Sequence, residues 1–211
     1  MTLVFLLTKL LISYTTYMNQ LILHPTSTAQ WQALVQDAED LSSIQLTETL
    51  ESYLVFLLVR FMNNPEIAQA VMAEEFLNSM AQRGKQSWHL LRDTGDKCLL
   101  LSGLFPGRAR KRCLRIGYFV NLGQSAYASL AEQKDKEMAD LFCKLNYHFV
   151  GLMDVLHSMR EIETEYPSLD FMQSEELWTD TRSVYALKCL KRMTNGRPLD
   201  FGHFPSSDRH H

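Results

Sequence analysis

The chain has 211 residues, 46% hydrophobic and 21% charged, enough for one full-sized domain and too apolar for a disordered one. Its 21 Lys and Arg against 24 Asp and Glu leave a formal charge of −3. That excludes a surface basic throughout and made for nucleic acid, while leaving room for a local basic patch. The cysteines Cys98, Cys113, Cys143 and Cys189 include no C-x-x-C pair, which excludes a zinc ribbon or a thioredoxin-like motif. Each sits in an apolar pattern, as the small buried thiols of a reduced, cytoplasmic protein do.

Residues 1–17, MTLVFLLTKLLISYTTY, open on an apolar run. It has no basic leader, Lys9 interrupts it, and no small-residue cleavage site follows. It is also shorter than the roughly 18 apolar residues of a membrane span. The expectation is a peripheral apolar segment or an upstream start that adds nothing to the fold. Residues 18–27 then form a lead-in, residues 28–194 a single helical domain, and residues 195–211 a flexible tail with turn residues and no periodicity.

Within that domain the spacing is helical. Trp31, Leu34, Val35 and Ala38 recur at i, i+3, i+4, i+7 behind the Thr26–Thr28 start. Leu46, Leu50, Leu54, Leu57, Leu58 and Phe61 carry a second stripe, and the stretch Leu54–Val59, apolar all round, predicts a central buried helix. Ile67, Val71, Met72, Phe76 and Met80 make a third, from Pro65 to about Gly84. A fourth runs from Trp88 to Leu104, interrupted at Gly95, and a tight turn is expected over Gly103–Gly107. Helix resumes near Arg108 and reaches about Glu132, with Gly117, Gly123 and Ala126 admitting a close neighbour. The longest candidate covers Lys134–Tyr166, about 50 Å at 1.5 Å per residue, with a kink near Gly151. A last helix opens at Ser174 and closes at Asn195-Gly196. The six prolines, Pro25, Pro65, Pro106, Pro167, Pro198 and Pro205, all fall at helix boundaries, and no strand alternation is sustained. The fold class is therefore all-α, a single-domain bundle of about six to eight helices.

Four residue sets could carry function. Arg108, Lys111, Arg112 and Arg115 follow i, i+3, i+4, i+7, so an unbroken helix would show four cations on one face. Cations at a helix N-terminus oppose its dipole by about 0.3–1 kcal/mol each, which favours an anionic ligand or partner there. The alternative is a solvated face paired with carboxylates of a neighbouring helix. Asp154, His157 and Glu161 stand at i, i+3, i+7, and carboxylate-x-x-His is a spacing by which helical bundles hold iron or manganese. Glu51 could add a fourth ligand, as could Glu48 or His89, whereas the ordinary reading is a His157–Glu161 surface pair. Glu51 and Asp96 are acids beside apolar runs, so burial would require a cation such as Arg60 or Arg92. Gly123-Gln-Ser125 begins like a nucleophile elbow but is flanked by helix on both sides, which excludes that arrangement. No P-loop, dinucleotide fingerprint or zinc-protease motif occurs, so no cofactor is implied.

The stretches GDKCLLLSGLFP, YFVNLGQSAYASLA and LESYLVFLLVRF resemble an uncharacterised proteobacterial family of all-helical proteins. The resemblance implies a bacterial cytoplasmic protein and no particular catalysis. The functional expectation is a non-enzymatic interaction or regulatory protein, its basic face meeting an acidic protein before nucleic acid or anionic lipid. The alternative is a metal- or cofactor-dependent bundle enzyme.

Overall fold

The computed structural model describes residues 27–63, 85–107, 115–132, 136–162 and 169–195. The expected helix from Pro65 to Gly84, Cys113 and both chain ends lie outside these residues. Eight helices are described: α1 Ser27–Ser42, α2 Glu48–Asn63, α3 Lys85–Leu104, α4 Ile116–Ala131, α5 Lys136–Tyr147, α6 Phe149–Glu161, α7 Phe171–Thr181 and α8 Val184–Met193. There is no strand among the described residues, and the protein is a single-domain all-α bundle. No helix among the described residues is long and apolar enough to cross a membrane.

The centre of the bundle is α3, not α2. From Thr94 to Pro106 every residue of the chain is buried, whichever way it points. Helix α3 packs on α4 and α6, α4 packs on α5, and α1 lies across α6 and α2. The α7–α8 hairpin closes the bundle against α4 and α6. In α2, Leu54, Val55, Leu57 and Leu58 turn inward, but Phe56 is 62% exposed, so this helix is amphipathic after all. The sequence pattern misplaced the centre because α3 buries Thr94, Asp96, Lys97 and Ser102 among its apolar residues, which lowers its hydropathy. Helix α1 buries Trp31, Leu34, Val35 and Ala38 completely, as their spacing requires.

The helices differ from the sequence expectation at four points along the chain, each for a local reason. Helix α3 runs through Gly95 without a break because that glycine faces Tyr127. A Cβ there would lie 2.5 Å from the tyrosine ring, so the residue serves close approach rather than a turn. The long helix expected over Lys134–Tyr166 breaks at His148, with φ −94 and ψ 12, and not at Gly151, which lies inside α6. The expected last helix is two, joined by Arg182 and Ser183. Arg182 adopts a left-handed φ of 58, and the Ser183 hydroxyl accepts from the Ala186 N–H to start α8. The preceding helix also begins earlier than Ser174. Asp170 and Gln173 cap α7 reciprocally, the Gln173 N–H donating to Asp170 at 2.9 Å and the Asp170 N–H to Gln173 at 3.2 Å.

Candidate functional site

Charge is drawn into the bundle at two places and left on its surface at a third. The first is Asp96 on α3, whose side chain is wholly buried. Tyr53 from α2 and Tyr127 from α4 both donate to its Oδ1, each at 2.6 Å. Its Oδ2 accepts from Arg60 of α2 at 2.7 Å, and the Nε of Arg92, one turn back on α3, lies 3.6 Å away. Arg60 also reaches Asp93 at 3.2 Å. The cation expected from the sequence is thus present twice, and the tyrosines complete the set. Burial raises the Asp96 pKa above the ordinary carboxylate range, opposed by Arg60, the two tyrosine bonds and Arg92. Burial also raises both tyrosines well above their usual value, reinforced by the adjoining carboxylate. The cluster ties three helices together and holds its tyrosines protonated, which makes them donors and not bases.

The second place is the α6–α8 seam. Asp154, His157 and Glu161 do share one face of α6, and all three are buried. Asp154 caps α8. It accepts from Ser183 Oγ at 2.5 Å, from the Val184 N–H at 2.8 Å and from the Tyr185 N–H at 3.2 Å. A carboxylate at a helix N-terminus satisfies donors the helix cannot, and it meets the positive end of the dipole. The His157 ring stacks on Tyr185, centroids 4.6 Å apart and 4° from parallel. Glu161 accepts from the Tyr185 hydroxyl at 2.7 Å and from Arg192 at 3.0 Å. Burial pushes Asp154 up to about 6 against the opposing pull of Ser183 and the two backbone donors. It pushes His157 down to about 3, helped by the nearby Arg160 charge. Cys189, buried on α8 beside this seam, is pushed up to about 11 and held as a thiol.

Glu51, the fourth residue of the metal reading, stands on α2 and accepts from Gln36 of α1 at 2.9 Å. With Thr28, Gln32, Ser52, Val55 and Phe56 it lines a groove of about 110 Å³ between α1 and α2. Glu48 and His89 are exposed, on α2 and α3. Among the described residues, no three His, Cys, Asp or Glu side chains come together to hold a metal ion. The Asp154 and Glu161 carboxylates instead face hydroxyl, amide and guanidinium donors, whose protons occupy the lone pairs a metal would need.

The third place is the end of the basic segment. Arg108, Lys111 and Arg112 lie outside the described residues. Arg115 is not helical; it is the extended residue before α4, with φ −75, ψ 149 and no side-chain cap. Its side chain is 68% exposed, and its Nε lies 3.7 Å from Glu176 of α7. One turn further along α7, Asp180 packs against Gly117 in the first turn of α4, where a Cβ would lie 2.7 Å from Asp180 Oδ2. A surface arginine thus meets an acidic helix, α7, which carries Glu175, Glu176 and Asp180 and no basic residue.

Sequence reasoning did not find Tyr53 and Tyr127, because nothing in one dimension links three residues on separate helices. Ser183 and Asp170 did carry a signal: each is a capping residue type directly before an apolar start, Asp170 with a glutamine three residues on. No protein-family model, curated protein or solved structure matches the chain.

Proposed function

We propose that the protein is a non-enzymatic helical interaction module that binds an acidic protein through the basic segment Arg108–Arg115. The observation that carries this reading is the contrast between its charged groups. Asp96, Asp154 and Glu161 are each buried and engaged by donors from other helices, a use that joins helices. Arg115 stands at the surface with one long contact to a carboxylate and a largely exposed guanidinium. Arginine in that setting offers a planar fork of donors to an incoming carboxylate at small desolvation cost. Five basic residues within one short segment, Arg108, Arg110, Lys111, Arg112 and Arg115, supply the field that draws an acidic surface in. A cytoplasmic, reducing setting accords with cysteines that carry no redox spacing.

The test is replacement of Arg112 and Arg115 together by Gln. The variant is expected to keep the wild-type circular dichroism spectrum and melting temperature, since a charge as exposed as that of Arg115 contributes at most about 1 kcal/mol. It is expected to lose co-purification with the acidic partner, and added salt should reproduce the loss in the wild type. Unchanged co-purification, or salt-insensitive binding, defeats the proposal.

A further inference from the structure

The acidic helix that faces the end of the basic segment belongs to the same chain, and this has a regulatory consequence. We propose that Glu176 is an internal competitor for the acidic partner, holding Arg115 in the free protein and giving it up when a partner carboxylate arrives. This rests on the proposed binding role of the Arg108–Arg115 segment.

The geometry supports exchange rather than a permanent bond. Nε of Arg115 and Oε1 of Glu176 are 3.7 Å apart, beyond hydrogen-bond distance, and both side chains are substantially exposed, 68% and 44%. Such a pair opens at little cost, unlike Arg60–Asp96, where the carboxylate is wholly buried at 2.7 Å and must stay paired. The junction also has a reason to keep a negative charge near Arg115. This cation stands at the N-terminus of α4, where the helix dipole disfavours it. Asp180 partly answers the dipole by packing at Gly117, the small residue that admits it. Glu176 answers Arg115 itself. A carboxylate from a partner could take that position with no rearrangement of the backbone, so Glu176 imitates the ligand. The hydrophobic surroundings suit a protein occupant: Tyr118, one turn into α4, and Met172, one turn before Glu176 on the same side of α7, are both exposed.

The experiment measures binding of a fluorescein-labelled polyglutamate peptide to the full chain by anisotropy, at low salt where the Debye length is about 30 Å. Glu176→Gln is expected to tighten binding about two- to fivefold, the range an exposed pair can supply. The gain should fall in the Arg115→Gln background to the level given by Glu175→Gln, and shrink as salt is raised. Glu175→Gln removes the same charge one residue away and should give a smaller gain that survives in that background. If wild type binds but Glu176→Gln binds no better, the competitor role is overturned while the binding role stands. If the Glu176→Gln gain is undiminished without Arg115, it is wholly a bulk charge effect and the competitor role is again overturned. If neither wild type nor Glu176→Gln binds the peptide, the binding role itself falls, and this inference with it.

Discussion

Replacing Asp154 by Asn should change how stability depends on pH far more than it changes the fold. An asparagine oxygen can still accept from the Val184 and Tyr185 amides, and its amide can donate to the Ser183 hydroxyl. What disappears is a titration. Burial lifts the Asp154 pKa from 3.8 to about 6. Between those values the folded protein therefore keeps a proton that the unfolded chain releases. The stability so gained is complete below 3.8 and is lost as pH rises through about 6. His157 works the other way. Its pKa falls from 6.5 to about 3, so the unfolded chain takes up a proton that the folded one refuses. That contribution is present above 6.5 and is lost as pH falls toward about 3.

At about 1.4 kcal/mol per pH unit for each group, the two slopes nearly cancel between pH 4 and 6. From pH 7 to pH 4, Asp154 adds roughly 2–3 kcal/mol and His157 removes roughly 3. The wild type should therefore be close to level over this range as far as these two groups are concerned. Asp154→Asn keeps only the histidine term, so its deficit relative to wild type should widen by roughly 2–3 kcal/mol on acidification. Urea unfolding of both proteins at pH 7, 6, 5 and 4, with the m-value checked for constancy, measures this directly. A difference between wild type and variant that stays constant with pH refutes the reasoning, since every other titrating group is common to both.

Tyr127→Phe removes one of two donors to the buried Asp96 oxygen and should cost about 1–3 kcal/mol in urea unfolding, with the α-helical spectrum retained. A loss below 0.5 kcal/mol would mean that Tyr53 alone satisfies that oxygen. Gly123→Ala would place a Cβ 2.5 Å from the Phe149 ring and 2.9 Å from Cys98 Cβ, so three helices must shift. A destabilisation of about 1–3 kcal/mol is expected, and a neutral or stabilising result would show that the α3–α4–α6 contact has slack.

The helices were legible because their apolar residues keep a 3.6-residue period, and the period depends only on which face is buried. Trp31, Leu34, Val35 and Ala38 show this plainly: all four are fully buried where the spacing put them. Which helix is central was not legible. Hydropathy favoured Leu54–Val59, but the helix that is enclosed on all sides from Thr94 onward carries Asp96, Lys97, Thr94 and Ser102 there. A polar residue lowers hydropathy by the same amount whether it is exposed or buried and paired, and the pairing comes from other helices. Gly95 misled for a related reason. A glycine inside a helical pattern reads as an interruption until the Tyr127 ring that needs the space is known.

The same limit explains the reading of Asp154, His157 and Glu161. Their i, i+3, i+7 spacing correctly put three polar groups on one buried face, and a metal would use that face if its remaining ligands came from other helices. The residues that meet it, Ser183, Tyr185 and Arg192, offer an O–H, backbone N–H groups and a guanidinium, all donors. Carboxylates facing donors close a helix joint, whereas carboxylates facing other ligands close on a cation. The spacing on α6 is common to both outcomes, so the choice rests on the opposing helix. Its start, Ser183 before the apolar Val184 and Tyr185, already reads as an N-cap, and an N-terminus is an end that seeks an acid. Asp154 supplies that acid from α6, and so ties down the N-terminus of α8 just beyond the left-handed Arg182 at which α7 ends.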